Sequence, residues 1–258
     1  MEPARLTPPD AEAAPRTVVI AAMAAELAGV LSGMRVTCRR RFDGCTGVWG
    51  TLGSVPVVIA WTGEGRSSAR RGAGWVLGKV VAARLMVVGV SGGLSPDLTR
   101  EALVVGRRVL DGCGPAPSPD PTWTENVLRM RSARAGTVVT VDHMLGTPEA
   151  KADTWSEFGR PDAAAADLET AAFAEAAAAT GTPYLVVRAI SDAAQDALPL
   201  DFERFRDVRG RIRRARVVGH ALRHPSVIGD LLTLRSRVAR CAARLARFVP
   251  AVLPGAAR

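Results

Sequence analysis

Apolar runs and helix-like patterns alternate along most of the chain. Runs rich in Val, Ile and Leu predict buried strands at residues 17–21, 45–61, 85–90, 101–110, 136–141 and 184–187. Helical spacing or strong helix formers predict helices at residues 23–31, within 62–77, at 147–158 and at 170–180. No change in composition divides this alternation, so the body is predicted to be one α/β domain.

The most informative stretch covers residues 163–199. It reads as an alanine-rich helix, a tight turn, a buried strand and an acidic loop. The strand carries Arg188 and ends in Ser191 and Asp192. Because ligands of open α/β sheets bind beyond the carboxyl ends of the strands, Asp192 is a candidate catalytic residue. Glu169, in the first turn of the preceding helix, is a second candidate.

Two glycine-containing segments follow predicted strands. One holds Gly63 and Gly65, and the other is the loop of Ser91, Gly92 and Gly93. A backbone without side chains can approach a ligand closely, so both loops are candidates for ligand contact. The first could instead be a simple turn. A dinucleotide fingerprint is less favoured there, because its third glycine is misplaced.

Composition and charge separate the body from the C-terminal tail. The chain has 258 residues, 48% of them hydrophobic, and a net charge of +9. Residues 204–258 hold 14 arginines and only Asp207 and Asp230 as acids, so the tail carries +12 and the rest −3. A body so close to neutral is not expected to bind nucleic acid.

The tail reads as an arginine-rich helix over residues 208–246, with a break at Pro225. An apolar stripe runs along it, formed by Leu231, Leu234, Val238, Cys241, Ala242 and Leu245. Such a basic amphipathic helix can pack on its own domain, on a partner or on anionic lipid. Packing on its own domain is the commonest of the three cases.

Other features bear on the compartment and on metals. The four cysteines lie scattered without metal-ligand spacing, which predicts free thiols in a reducing compartment: Cys38, Cys45, Cys113 and Cys241. Residues 1–16 read as disordered and show no signal-peptide pattern, so we expect a cytoplasmic protein. His220 and His224 have no evident third ligand, and we expect no metal.

Four blocks resemble the superfamily of purine nucleoside phosphorylases and methylthioadenosine/adenosylhomocysteine nucleosidases. They are IAAMAAEL (20–27), WTGEGRSSA (61–69), VSGGLSPDL (90–98) and DLETAAFAEAAAATGTPYLVVRAISDAA (167–194). The resemblance covers residues 17–202 and implies a three-layer α/β/α fold with a mixed central sheet. Together with the composition, it divides the chain into a disordered segment (1–16), a catalytic domain (17–207) and a basic helical extension (208–258).

The resemblance assigns roles to the two acids. Breaking the N-glycosidic bond is easier when a carboxylic acid protonates N7 of the departing purine. Asp192, placed by Ser191, is given that role, which needs a raised pKa. Glu169 is expected to bind the ribose hydroxyls. Leu168 stands under the ribose where the family usually has methionine, a change that conserves volume.

Further binding residues are implied by the same resemblance. Met144 and Leu145 stand where other members pack an aromatic–aliphatic pair on the base. Ser91, Gly92 and Gly93 are expected to line the side of the sugar that the nucleophile attacks.

The identity of the nucleophile is open at this point. In the nucleosidases a glutamate at the position of Glu26 polarises water, and Arg188 supports the site. Without the resemblance, Glu26 would read as a solvated helix residue. The loop AAMAAE lacks the arginine that many phosphorylases use for phosphate, which favours water. Arg66 or Arg70 could still contact phosphate as a co-substrate.

We therefore expect an enzyme that releases adenine from a 5′-substituted adenosine and uses no cofactor. Residues 147–155 (TPEAKADTW) and the tail resemble the hopanoid-associated nucleoside phosphorylases, which favours adenosylhopane as the substrate. One alternative is a methylthioadenosine/adenosylhomocysteine nucleosidase. Another is a non-catalytic nucleoside-binding protein that its basic tail recruits to the inner membrane face. The resemblance also implies a homo-oligomer.

Overall fold

The computed structural model describes residues 15–112, 114–130, 133–159, 163–207 and 212–253. The strands are β1 (Arg16–Ala21), β2 (Met34–Phe42), β3 (Cys45–Leu52), β4 (Val55–Trp61), β5 (Ala82–Gly93), β6 (Leu103–Asp111), β7 (Gly114–Pro115), β8 (Arg134–Thr140), β9 (Ala163–Asp167) and β10 (Tyr184–Asp192). The α-helices are α1 (Ala24–Ser32), α2 (Arg66–Leu77), α3 (Pro121–Met130), α4 (Pro148–Thr154), α5 (Thr170–Ala179), α6 (Arg214–Arg223) and α7 (Ile228–Val252). Short π or 3₁₀ turns cover Trp155–Gly159, Phe202–Phe205 and Pro225–Val227.

The strands form one mixed sheet. Strand β1 lies between β4 and β5 and is parallel to both, whereas β2, β3 and β4 are antiparallel neighbours. Strand β5 also pairs in parallel with β10, and its last residues pair with β9. Because β10 continues through β6 and β8 to β9, strands β5, β10, β6, β8 and β9 close into a ring.

Helices cover both faces of the sheet, which confirms the three-layer fold. Alternate residues of β1 face opposite layers: Val19 packs on one side and Val18 on the other. The Val19 side is covered by α1, α3 and α7. The Val18 side is covered by α2 and α5. Since both faces are buried there, central strands such as β1 and β10 are continuous buried runs rather than alternating ones.

Two segments differ from the sequence prediction. The alanines of Ala163–Asp167 form β9 instead of helix, because their backbone pairs with both β8 and β5. Such tertiary pairing outweighs the helix preference of alanine. Ser91, Gly92 and Gly93 continue β5 instead of forming a loop. Two elements had no sequence prediction: the edge strand β2, which is rich in exposed arginine, and the helix α3.

The C-terminal helix α7 is part of the folded body. The chain breaks at Pro225, as predicted, and α7 then crosses α1 and β10. Cys241, Leu245 and Phe248 are buried there, whereas Leu232 in the early part of the helix is exposed. No helix within the described ranges is long and apolar enough to cross a membrane. Of residues 1–16, residues 1–14 lie outside the described part, and Arg16 begins β1.

Candidate active site

A cavity of about 270 Å³ opens where β1, β5, β9 and β10 end. Polar residues from these strand ends, from the segments after them and after β4, and from α4 line it: Glu26, Glu64, Ser91, Lys151, Asp167, Glu169, Ser191 and Asp192. The position agrees with the rule that open α/β sheets bind ligands beyond the carboxyl ends of their strands. The buried acids in this cavity have different partners, which makes their environments chemically distinct.

Asp192, at the end of β10, is held by two side chains. Its Oδ1 accepts a hydrogen bond from Oγ of Ser191 at 2.5 Å. Its Oδ2 accepts one from Nζ of Lys151, also at 2.5 Å. We call these three residues the Asp192 centre. Lys151 was not among the predicted site residues, although it lies in the quoted segment TPEAKADTW.

Lys151 reaches Asp192 from α4 and is buried, with only 1% of its side chain exposed. Its Nζ also donates to the backbone oxygens of Ala193, at 2.9 Å, and Asp196, at 2.8 Å. Pairing at this distance offsets part of the cost of burying either charged group alone. The sequence predicts one partner for Asp192, Ser191, and the structure adds Lys151 as a second.

Glu26 occupies the first turn of α1 and is 2% exposed, so it is not a solvated helix residue. Its Oε2 accepts from the backbone N–H of Met23 and its Oε1 from that of Val90, both at 2.7 Å. We call Glu26 and these two amides the Glu26 centre. Burial raises the pKa of Glu26, and the nearby positive charge of Arg188 only partly opposes this.

Arg188 is buried beside the cavity but does not line it. Its guanidinium donates to Asp167 and, at 2.5 Å, to Oγ1 of Thr170. It also lies over Gly89, where a Cβ would overlap its Nη1 and come within 2.9 Å of Oε1 of Glu26. The positive charge of Arg188 therefore stabilises Glu26 and Asp167 from a position that does not line the cavity, where it does not face a ligand.

Glu169 precedes α5 at the N-cap position. Its Oε1 accepts a hydrogen bond from the backbone N–H of Gly65 at 2.7 Å. Gly65 has a φ of +87°, which glycine adopts without strain. Burial and the neighbouring Asp167 raise the pKa of Glu169 to about 8. The glycine turn thus presents an amide to a carboxylate of the protein itself.

The other predicted residues fall into two groups. Those that line the cavity are Leu168, Met144, Leu145, Ser91 and Gly92. Gly93 does not line it, because it pairs with Ala165 of β9 and packs against Ile190. The hydroxyl of Ser91 is buried and has no hydrogen-bond partner within the described structure, so it is available to a ligand.

A further apolar wall had not been predicted as part of the site. It consists of Leu198, Phe202, Ile212, Leu234 and Val238. These residues follow β10 in the chain and lie outside the sequence blocks that pointed to the site. Leu234 and Val238 belong to the apolar stripe of the tail, and Leu198 and Phe202 lie at the end of the resembling region, but none of them had been assigned to the site.

The two arginines considered for phosphate are engaged elsewhere. Arg66 pairs with Asp111, and Arg70 with Glu175 at 2.5 Å, and neither lines the cavity. Among the described residues that line the cavity, Lys151 is the one basic side chain, and it is held within the Asp192 centre. Within the same described ranges, no group of His, Cys, Asp or Glu is arranged to hold a metal ion.

Comparison with known proteins defines the class. The family described as the Phosphorylase superfamily matches residues 16–223, and the chain belongs to it. The 5′-methylthioadenosine/S-adenosylhomocysteine nucleosidase of Geobacillus kaustophilus is 24% identical over 212 residues, 74% of this chain and 89% of that protein. The enzyme of the same name from Shewanella oneidensis is 24% identical over 72% of this chain and 88% of its own.

Solved structures share the fold. The nucleosidase of Neisseria meningitidis in complex with methylthio-immucillin-A has a TM-score of 0.71 at 20% identity, covering 92% of this chain and 97% of that one. A futalosine hydrolase mutant of Helicobacter pylori has a TM-score of 0.70 at 15% identity, covering 93% and 98%. The superfamily predicted from the four sequence blocks is thus confirmed. The hopanoid-associated branch stays a prediction.

Proposed function

We propose that this protein hydrolyses the N-glycosidic bond of a 5′-substituted adenosine and releases adenine. The named relatives favour a methylthioadenosine/adenosylhomocysteine nucleosidase over the hopanoid branch. The observation that carries the proposal is one cavity in which Glu26, Glu169 and Asp192 are all buried but have different partners. Glycoside cleavage needs that division, because one carboxyl group serves the leaving group and another the nucleophile.

The proposed reaction assigns each acid a step. The C1′–N9 bond breaks, its electron pair passes to adenine, and N7 receives a proton through Asp192. Water forms the new bond to C1′ and gives its proton to Glu26. The raised pKa of Glu26 brings this base closer to the pH at which it works. Glu169 accepts hydrogen bonds from the ribose hydroxyls, and the positive charge that develops on the sugar favours the ionised form of this carboxyl group.

Water is favoured over phosphate by the charges of the cavity. A phosphate dianion needs cationic or amide donors that are free to bind it. Arg66, Arg70 and Arg188 each have an acidic partner and do not line the cavity. Lys151 lines it but already donates to three oxygens. Hydrolysis therefore fits the described residues better than phosphorolysis.

The direct test measures adenine release from 5′-methylthioadenosine and S-adenosylhomocysteine, with and without phosphate. The proposal expects turnover that does not depend on phosphate. A strict phosphate requirement would establish a phosphorylase instead. If both nucleosides raise the melting temperature but neither is cleaved, the protein is a nucleoside-binding protein without catalytic activity.

Adenosylhopane remains a second candidate because of the apolar wall. Leu234 and Val238 of α7 join Phe202 there, and an apolar 5′ group would bury its surface against them. Burial of apolar surface is worth about 25 cal/mol per Å². A hopanoid-specific enzyme should have a higher kcat/KM for adenosylhopane than for methylthioadenosine. The reverse order would restrict the protein to the smaller substrates.

We also propose that the tail contacts anionic membranes. Four apolar side chains are exposed on α6 and early α7: Val218, Leu222, Ile228 and Leu232. The same region is rich in arginine, with Asp230 as the one acidic residue in residues 212–253. Exposed apolar groups among cationic ones match the chemistry of an anionic lipid surface.

Vesicle sedimentation tests this contact. Removal of the whole tail would also remove buried residues of α7, so a V218S/L222S variant is the better probe. Its matched control is V36S/F42S on the exposed edge strand β2. Wild type and control should sediment with phosphatidylglycerol vesicles, and V218S/L222S should remain in solution. Equal sedimentation of all three proteins would refute the proposal.

The homo-oligomer implied by the resemblance is a separate proposal. Analytical ultracentrifugation should show a dimer or larger species at micromolar concentration. A monomer across the whole concentration range would refute it.

A further inference from the structure

Lys151 lines the cavity, and the sequence resemblance assigns it no role. It is almost fully buried, and burial of a lysine is costly unless its charge is paired. Its three contacts are Oδ2 of Asp192 and the backbone oxygens of Ala193 and Asp196. An ammonium has three hydrogens, so every one of them has an acceptor.

The same arrangement also suits the neutral amine. An amine keeps two hydrogens, which match the carbonyls of Ala193 and Asp196, and gains a lone pair. That lone pair would face Oδ2 of Asp192 and accept from a protonated carboxyl group. The hydrogen bonds are therefore satisfied whether the proton lies on Lys151 or on Asp192.

The loop that carries the two carbonyls is itself fixed. Oδ2 of Asp196 accepts from the backbone N–H of Ala193 at 2.8 Å and from Nε of Arg100 at 2.7 Å. Arg100 lowers the pKa of Asp196 to about 2, so this acid stays ionised and keeps the loop in place. The backbone oxygens that accept from Lys151 are therefore held in fixed positions.

We infer that Lys151 supplies the proton that Asp192 gives to the leaving adenine; this inference rests on the proposed function. As the C1′–N9 bond breaks, a proton passes from Nζ of Lys151 to Asp192 and from Asp192 to N7. Lys151 becomes a neutral amine, Asp192 is again a carboxylate, and Glu26 holds the proton taken from water. After the products leave, water returns a proton to Lys151 and removes one from Glu26, so the protons balance.

The inference predicts that loss of Lys151 matters only when the leaving group needs a proton. The test compares Lys151→Met with wild type on 5′-methylthioadenosine and on 4-nitrophenyl 5-methylthioriboside, whose phenolate leaves unprotonated. We expect kcat for the nucleoside to fall about 10²–10⁴-fold, the usual contribution of general acid catalysis. The rate for the aryl riboside should stay within about tenfold of wild type. Lys79→Met, at the one other and exposed lysine, is the matched control.

Lys151→Arg separates proton supply from structural support. Arginine keeps the positive charge beside Asp192 but does not lose its proton in proteins. We expect this variant to melt closer to wild type than Lys151→Met does, while its turnover of the nucleoside remains low. Full rescue by arginine, or equal losses on both substrates, would overturn the inference and leave Lys151 a structural residue. A wild type that cleaves neither substrate would instead refute the proposed function.

Discussion

The Asp192 centre and the Glu26 centre hold buried carboxylates in one cavity by different means. Asp192 is bound by the side chains of Lys151 and Ser191, and one of these is a cation. Glu26 is bound by two backbone amides, while the cation that acts on it, Arg188, does not line the cavity. A side-chain ammonium can give its proton to the carboxylate that it contacts, which suits an acid. Backbone amides keep their protons, so they orient a carboxylate and leave it able to act as a base. The difference explains how one cavity can serve both ends of the breaking bond.

The largest expected effect is at the Asp192 centre. Asp192→Asn removes the group that passes a proton to N7, so we expect kcat for methylthioadenosine to fall about 10⁴-fold. The loss should be much smaller for the aryl riboside. Circular dichroism and thermal melting should show a folded variant. Unchanged turnover of the nucleoside would remove Asp192 from the acid role.

A somewhat smaller effect is expected at the Glu26 centre. Glu26→Gln removes the base for water, and we expect kcat to fall about 10³-fold. Unlike the previous variant, it should slow the nucleoside and the aryl riboside equally, because both need water. The amide can accept from only one of the N–H groups of Met23 and Val90, so stability should fall by about 1–3 kcal/mol. A loss limited to the nucleoside would contradict the division between the centres.

Glu169 also accepts a hydrogen bond from a backbone amide, and the dependence of protein stability on pH tests its ionisation. Its pKa is raised from 4.5 to about 8, so the folded protein favours its neutral form. Below pH 4.5 both folded and unfolded states hold the proton. As the pH rises towards 8, the unfolded state releases it more readily, and wild type loses stability. Glu169→Gln should lack this loss. Denaturant unfolding at pH 5, 6.5 and 8 should therefore show that the free energy of unfolding of the variant rises relative to that of wild type as the pH increases. Parallel curves would show that Glu169 ionises normally.

The smallest effect is expected where the sequence departs from the family. Leu168 lines the cavity in place of the usual methionine, and exchanges of Leu for Met usually cost less than about 1.5 kcal/mol. Leu168→Met should therefore change kcat/KM by less than about tenfold. A larger change would show that the ribose face is shaped specifically for leucine.

The fold could be predicted because its physical cause lies in local sequence. Strands buried on both faces must be apolar throughout, and the run before Arg188 shows this pattern clearly. The exception is β9, where alanine favours helix and only pairing with β5 and β8 makes a strand. Strand β2 was not predicted because its exposed arginines give no apolar pattern, and an edge strand needs few buried residues.

The site could be predicted only where residues follow strand ends or belong to the resembling blocks. Lys151 lies in a short helix, where a lysine normally reads as a solvated surface residue. Its burial depends on how α4 packs against the loop of Ala193 and Asp196, which the local sequence does not encode. The same holds for Leu234 and Val238: the stripe predicts a buried face, but not that part of it lines the cavity.

The identity of the products under saturating phosphate is the most direct test of hydrolysis in this cavity. Purified wild-type protein is incubated with 5′-methylthioadenosine, and adenine and the sugar are identified by mass spectrometry. Hydrolysis predicts many turnovers that yield adenine and free 5-methylthioribose, at the same rate in phosphate-free buffer. Formation of 5-methylthioribose 1-phosphate, or the absence of adenine under both conditions, would contradict it.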